Sequence, residues 1–303
     1  MIKLKFSDTQ KRRGGGSKFG IFLILPSIIV LFAVTIYPLV YAIYMSLHRW
    51  ILTRPDLGRP FVGLNNYITL LRGPEFINAL KITIIYVSLS VVLTMLLGLF
   101  EALLLNEKLK GMSIARSIFI VPMLITPVVT AFGWKFMLDD VAGIIKNWIL
   151  PSIGLNVRTI LASPKYALYS CIATEVWYQT PLVALILLAG LQSISKTEYE
   201  AAQIDGASLF QMFRYIILPG LRTYILIALL LRVMDSFKAF DIIWVMTNGG
   251  PGTASTTLNI LGYETLVFGQ RISDAATYGI IMLYVILAIS LIFIRLLTRG
   301  SEK

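Results

Sequence analysis

The apolar residues of this chain are grouped in six long runs that polar segments separate. The runs cover about residues 19–47, 78–103, 114–137, 166–191, 221–245 and 274–297. Each run is long enough to cross a hydrocarbon core of roughly 30 Å at about 1.5 Å per helical residue. The first run is much longer than the apolar core of a signal peptide, so we interpret it as a retained span. The pattern predicts an all-α integral membrane protein with six transmembrane helices.

The basic residues predict how these spans are oriented. Six spans place both termini on one side of the membrane. That side carries 15 of the 27 lysines and arginines, whereas the loops on the opposite side carry 8. Because basic residues accumulate in cytoplasmic loops, we expect residues 1–18 to be a basic cytoplasmic tail. Residues 19–298 then form the six-span domain, and residues 299–303 are a cytoplasmic C-terminus.

The composition excludes several classes of protein. The chain is 57% hydrophobic and only 14% charged, which is too apolar for an ordinary soluble domain. Its net charge of +11 belongs to loops that orient the spans, so we expect no nucleic-acid partner. A single cysteine, Cys171, and a single histidine, His48, give no basis for a disulfide framework or a metal site. The sequence contains no phosphate-binding G-x-x-x-x-G-K-[ST] motif, so any ATP must be hydrolysed by another chain.

The polar loop at residues 193–220 carries helix signals of its own. Thr197–Glu200 and Ser208–Gln211 each fit a capping box. Gly206 lies where the first helix should end, because glycine adopts the left-handed conformation without side-chain strain. Pro219 is expected to end the second helix. The loop therefore predicts helix, turn and helix, and the second helix has an apolar stripe formed by Phe210, Phe213, Ile216 and Ile217.

The same loop resembles the EAA loop of permease subunits in bacterial binding-protein-dependent ABC importers. It matches the family pattern of Glu-Ala-Ala, three residues, Gly, nine residues and Ile-x-Leu-Pro. In that family the loop forms coupling helices that sit in a cleft of a cytoplasmic ATPase. From the helix signals alone, a plain hairpin joining two spans is an equal alternative. The resemblance assigns ATPase coupling to Glu200, Ala201, Ala202, Asp205, Gly206, Ile216, Leu218 and Pro219.

Two further segments resemble sugar-type permeases of this family. Residues 61–67 match the stretch F-x-G-L-x-N-Y, and residues 248–252, after span five, resemble the segment T-x-G-G-P. Each segment alone fits a simple exposed loop. Together with the EAA loop, in the right order, they extend the resemblance over residues 19–298. They indicate the first of the two permease types in carbohydrate importers of the maltose and glycerol-phosphate kind.

The resemblance also implies the partners of this chain. It implies a homologous second permease subunit, two cytoplasmic ATPase subunits and an extracytoplasmic solute-binding protein. The chain would lie among lipids of the bacterial inner membrane and would not itself be an enzyme. It would hold no cofactor of its own, because ATP and Mg would bind to the partner ATPase. The substrate would be a sugar, an oligosaccharide or a polyol derivative.

Span four carries a cluster of polar and aromatic residues about midway along its apolar run. Glu175, Trp177, Tyr178 and Gln179 precede Pro181, whose ring removes a helical hydrogen bond. We expect a kink there that opens a cavity, with aromatic faces that suit a sugar ring. These four residues are candidates for the substrate path. Buried contacts that only hold helices together are the alternative.

Span five carries Arg232, Asp235, Lys238 and Asp241 at steps of three residues. Because the signs alternate, neighbouring charges are expected to pair along the helix. Lys238 and Asp241 are further candidates for the substrate path. The alternative is that the charges only neutralise one another and that the helix packs against the partner permease. Such pairing leaves no surplus positive charge, which favours a neutral sugar.

Two other functions fit an apolar, multi-span chain. A secondary transporter of a small polar solute also uses polar groups at the middle of the membrane, but it does not need an EAA-type docking loop. A membrane-embedded enzyme needs convergent acid, base or metal groups. One histidine and scattered carboxylates give that function little support.

Overall fold

A computed structural model describes residues 16–107 and 111–301, so most of the predicted basic tail lies outside the described residues. The described chain is helical, and its only β pairing consists of two isolated bridges. Its helices are α1 (Gly16–Leu31), α2 (Tyr37–Ser46), α3 (Asn65–Arg72), α4 (Pro74–Asn106), α5 (Met112–Leu124), α6 (Pro127–Met137), α7 (Leu150–Ser152), α8 (Ala167–Ser193), α9 (Lys196–Ile204), α10 (Leu209–Met212), α11 (Leu218–Gly220), α12 (Arg222–Phe237), α13 (Asp241–Thr247), α14 (Leu258–Val267) and α15 (Ile272–Ser301).

The helices supply between four and six membrane spans within the described residues. Two bent pairs of helices are also long and apolar enough to cross a membrane: α5 bends into α6 by 95°, and Leu209–Gly220 bends into α12 by 64°. The count is six if each bent pair is one span, and the predicted all-α membrane fold is confirmed. The four unbroken spans are Phe22–Ser46, in which the π-helical turn Phe32–Ile36 joins α1 to α2, Pro74–Asn106, Ala167–Ser193 and Ile272–Thr298.

The third and fifth apolar runs are broken, contrary to the prediction of single helices. In the third run Thr126 is extended, because the ring of Pro127 disfavours a helical residue before it. In the fifth run α12 ends at Phe237, and a new helix starts at Asp241. The carbonyl oxygen of Lys238, within this break, accepts a hydrogen bond from Asn259 Nδ2 at 2.8 Å. A neighbouring side chain thus satisfies backbone that the break leaves free.

Helices α4 and α8 form the central pair of the bundle, and α12 packs against both. Their close approach depends on Gly98 of α4. A Cβ atom at this position would lie 2.6 Å from Cγ1 of Val183, which is fully buried in α8. Since real Cβ atoms do not approach other atoms so closely, the backbones meet here only because residue 98 has no side chain.

We expect Gly98→Val to force α4 away from α8 and to lower the thermal midpoint of the purified permease by several degrees. Overpacking of a close interface costs about 1–3 kcal/mol. Gly133→Val in α6 is the matched control, because a Cβ there meets nothing within 4 Å. The same midpoint in both variants would show that Gly98 is not needed for helix contact.

Candidate functional site

A buried ion pair joins α8 to α12. Arg232 Nη2 donates to Glu175 Oε1 and to Ser236 Oγ, each at 3.0 Å. The side chain of Arg232 is 0% exposed and that of Glu175 is 7% exposed. A charge in such a place is tolerated when an opposite charge meets it. The pair therefore fixes the two helices to each other.

This contact corrects the predicted pairing along span five. Arg232 pairs with Glu175 of another helix and not with Asp235, because the arginine faces the bundle interior. Asp235 instead pairs with Lys238 at 3.3 Å, as predicted, and both side chains are partly exposed. Among the residues that the structure describes, no ion pair includes Asp241.

A polar cavity of about 270 Å³ lies beside this ion pair. It opens where the two broken runs meet, since Pro127 and the break before Asp241 both contribute to its walls. Irregular backbone in membrane proteins is tolerated where it lines a cavity. This cavity is not at Pro181, where a kink was predicted to open one, because that proline is not among its lining residues; α8 is one helix through Pro181. The lining residues are Pro127, Glu175, Tyr178, Gln179, Asp235, Lys238, Ala239, Phe240, Asp241 and Ile242.

Helical geometry explains which span-four residues reach the cavity. Glu175, Tyr178 and Gln179 are spaced by three and four residues, so they share one face of α8. Trp177 lies on another face, beside an apolar groove of about 720 Å³. Its ring meets the edge of Trp134 at 5.8 Å between centroids. Of the six predicted substrate-path residues, Trp177 is therefore the one that does not line the cavity.

Sequence reasoning missed Pro127 and Phe240 as cavity residues. Pro127 in the third apolar run was a usable signal, because a proline in a span leaves backbone groups without helical hydrogen bonds, and these groups need polar surroundings. Phe240 had no such signal, since one aromatic residue among many in an apolar run is unremarkable. Its position follows from the break itself, where the backbone at Phe240 is neither helical nor extended (φ −135°, ψ −59°).

The cavity walls combine apolar surface with hydrogen-bonding groups, and most of their charged side chains are acidic. Three carboxylates, those of Glu175, Asp235 and Asp241, face it together with the ammonium of Lys238. Within residues 16–107 and 111–301, no group of three or more His, Cys, Asp or Glu side chains is placed to hold a metal ion. The site is suited to binding polar groups of a solute.

The loop at residues 193–220 has two short helical segments separated by a turn. The first is α9, and the second is the run Leu209–Gly220, in which the π-helical turn Phe213–Ile217 joins α10 to α11. Gly206 has φ +73°, and a Cβ there would meet nothing within 4 Å, so backbone conformation alone favours glycine. At the second helix, the backbone N–H of Ser208 donates to Gln211 Oε1 and that of Gln211 to Ser208 Oγ, which is the predicted capping box.

Other details of this loop differ from the prediction. The first helix is capped by Ser195, whose Oγ accepts the N–H of Thr197 at 3.3 Å. Thr197 is therefore not its cap, and Glu200 is the fifth residue of α9. Pro219, by contrast, lies one residue before the end of the second helical run, Leu209–Gly220, close to where it was expected to end that helix.

The surface of the loop carries several large exposed apolar side chains among its polar and charged ones. Phe213, Ile216 and Ile217 of the predicted stripe are only partly exposed, whereas other large side chains are open. A surface of this kind is typical of a protein interaction site. The ATPase-coupling role of the eight residues in this loop stays a prediction. The most exposed large side chains are Ile204 (86%), Leu209 (82%), Phe210 (71%) and Tyr215 (70%).

Comparison with known proteins gives the family of the chain. Residues 90–302 match the binding-protein-dependent transport system inner membrane component family. The chain is 36% identical over 287 residues to the trehalose/maltose transport system permease protein MalF of Thermococcus litoralis, covering 95% of this chain and 96% of that protein. It is 33% identical over 291 residues to the trehalose transport system permease protein SugA of Mycobacterium tuberculosis, covering 96% and 92%.

A solved structure shares the fold. It is a bacterial ABC transporter involved in the import of the acidic polysaccharide alginate, with a TM-score of 0.80 and 26% identity over 94% of this chain and 96% of that one. The family match spans more than half of the chain, and the relatives above span nearly all of it. The chain therefore belongs to the family of binding-protein-dependent transport system inner membrane components, as an ABC transporter permease subunit and not an enzyme.

Proposed function

We propose that this chain forms, with a homologous second permease subunit, the path by which an ATP-driven importer moves a neutral carbohydrate across the membrane. An extracytoplasmic solute-binding protein would deliver the sugar, and two cytoplasmic ATPase subunits would bind ATP and Mg. Both termini and the loop at residues 193–220 would then face the cytoplasm. The observation that carries the proposal is the polar cavity between α8 and the break in span five.

The cavity suits a sugar because it combines polar and aromatic groups. Carboxylates and the amide of Gln179 bind hydroxyl groups, while the rings of Tyr178 and Phe240 cover the apolar faces of a pyranose. Its volume of about 270 Å³ is slightly below the range of about 300–1,000 Å³ that is usual for small-molecule sites. A second permease subunit that faces the same cavity would complete it.

The charges on the cavity walls favour a neutral sugar over an anionic one. The carboxylates outnumber the ammonium group of Lys238, and the guanidinium of Arg232 is already engaged by Glu175. An anionic sugar would therefore lose solvation without gaining a free cation. The transport systems of MalF and SugA, at 36% and 33% identity, are named for trehalose and maltose, which are neutral. The alginate importer shares only 26% identity.

Helix α12 links the loop to the cavity. The helical run Leu209–Gly220 bends directly into α12, which carries Arg232 and ends at the break. The ion pair with Glu175 ties α12 to α8, so both walls of the cavity are connected to the loop. ATP-driven closure of the docked ATPases would move the loop and, through α12, reshape the cavity. This sequence of contacts supports alternating access.

We expect Gln179→Ala to reduce sugar uptake about fivefold at low sugar concentration, because one hydrogen bond to the sugar, worth about 1 kcal/mol, is lost. Basal ATP hydrolysis by the assembled complex should not change. Gln192→Ala is the control, since Gln192 is exposed on the same helix and outside the cavity. Equal uptake by the two variants in reconstituted vesicles would remove Gln179 from the substrate path.

A further inference from the structure

The short helix α3 has three distinct faces. Asn66 and Leu70 are buried against the rest of the chain. On nearly the opposite side of the helix, the N-cap residue Leu64 forms an outward apolar stripe with Ile68 and Leu71, at spacings of four and three residues and with exposures of 64%, 51% and 44%. On the remaining side are exposed polar residues, Asn65, Thr69 and Arg72.

The buried face holds α3 firmly at the end of span one. Asn66 Nδ2 donates to the carbonyl oxygens of Ser46 and His48, each at 2.8 Å. The hydroxyl groups of Tyr67 and Ser46 are 2.7 Å apart. Asn66 and Tyr67 belong to the F-x-G-L-x-N-Y stretch, so the polar residues of this stretch anchor the helix. The outward stripe is thus presented by a fixed element and not by a mobile loop.

The position of α3 along the chain places it at a membrane surface. It follows span one, which ends at Ser46, and it precedes span two, which begins at Pro74. Helix α4, which packs against α3, carries exposed apolar side chains as well, among them Ile77 (57% exposed) and Ile84 (51% exposed). Exposed apolar side chains on a membrane span face lipid or a partner, so α3 is packed against a span with such a surface.

The charges around α3 fit anionic lipid headgroups. Between residues 47 and 73 there are four arginines and one carboxylate, Asp56, which pairs with Arg54 at 3.3 Å. The guanidinium of Arg59 lies 3.5 Å from the ring centroid of Trp50. Tryptophan and arginine are typical of membrane interfaces, where the ring meets the acyl boundary and the cation meets phosphate.

We propose that α3 is an interfacial helix that lies in the membrane surface, with its stripe of Leu64, Ile68 and Leu71 embedded in the leaflet and Arg72 at the level of lipid phosphates. The boundary between the apolar and polar faces of α3 marks the plane of that surface. A lipid surface explains why a polar face adjoins the apolar stripe, because half of an interfacial helix contacts water. The helix fixes the depth and tilt of spans one and two.

Spin labels on neighbouring residues test this placement. Ile68→Cys and Thr69→Cys are labelled in the full chain in vesicles of phosphatidylethanolamine and phosphatidylglycerol. Cys171 is buried, so the unsubstituted chain serves as the labelling control. Collisions with oxygen, which concentrates in lipid, and with a water-soluble nickel chelate are measured by electron paramagnetic resonance. Because both positions are exposed, neither label disturbs packing.

We expect the label at residue 68 to collide several-fold more with oxygen, and several-fold less with the nickel chelate, than the label at residue 69. Strong nickel collisions at both positions would place the stripe in water and overturn the proposal. Protection of residue 68 from both reagents would also overturn it, since a protein partner and not lipid would then cover the stripe. With Arg72→Gln, the label at residue 68 should become shallower in phosphatidylglycerol vesicles, and an unchanged depth would contradict phosphate binding by Arg72.

Discussion

Replacing Arg232 with methionine is expected to lower the thermal midpoint of the purified permease by about 10 °C. The substitution leaves Glu175, whose side chain is 7% exposed, without its opposite charge. Breaking a buried pair by removing one partner costs about 3–5 kcal/mol, and each kcal/mol shifts the midpoint of a chain of this size by about 2–4 °C. Sugar uptake should be lost, because α8 and α12 are no longer fixed beside the cavity.

The double variant Glu175→Leu with Arg232→Met distinguishes the effect of an unpaired buried charge from the effect of losing the ion pair. Replacing both members of a buried pair by apolar residues is often neutral for stability. We therefore expect the double variant to recover most of the midpoint that Arg232→Met loses, while uptake stays low because the cavity has lost a polar wall. An unchanged midpoint in the single variant would mean that the ion pair does not hold α8 to α12.

Gly206→Val is expected to abolish coupling between ATP hydrolysis and transport. A β-branched residue at φ +73° strains the backbone by about 1–3 kcal/mol. The turn between α9 and α10 would change to relieve the strain, which weakens ATPase docking by about tenfold or more. Insertion into the membrane should be unaffected, because residue 206 lies outside the membrane spans and a Cβ there meets nothing within 4 Å. Substrate-stimulated ATP hydrolysis and uptake in the reconstituted complex measure the effect.

Two controls distinguish strain in this loop from strain in general. Gly154 also has a positive φ, +81°, with open space around it, but it lies in the segment between α7 and α8. Gly154→Val should leave stimulated hydrolysis unchanged. Gly206→Asn should retain more coupling than Gly206→Val, because asparagine tolerates the left-handed conformation. Normal coupling in Gly206→Val would show that residues 193–220 are an ordinary connector.

The sequence predicted the features that short-range chemistry determines. Long apolar runs identified the spans, and the capping box at Ser208 and the left-handed glycine at Gly206 follow from local rules. The cap of α9 was misplaced by two residues, because Ser195 and Thr197 are both good caps and only the observed hydrogen bond separates them. The broken spans were missed, since the break before Asp241 is stabilised by a contact between two helices. Asn259 of α14 donates a hydrogen bond to the free carbonyl oxygen of Lys238, and the sequence of span five does not show this contact.

The candidate site was predictable in its residues but not in its contacts. Ionisable side chains in the middle of an apolar span have a high free-energy cost, which indicated that Glu175 and Lys238 belong to a site. The spacing along one helix suggested that Arg232 pairs with Asp235. The structure instead brings Arg232 to Glu175, which is 57 positions away in the chain. Trp177 was included because its aromatic face suits a sugar ring, although 100° per residue carries it to another face of α8.

Sugar uptake into proteoliposomes tests most directly whether this chain is a permease subunit of an ATP-driven importer of neutral sugars. The vesicles contain the chain with its second permease and ATPase subunits, and radiolabelled trehalose is the probe. We expect uptake only when ATP and Mg are present on the ATPase side and the solute-binding protein on the other side, with competition by maltose and none by alginate oligosaccharides. Uptake that persists without ATP, or that an ion gradient drives, would contradict this function.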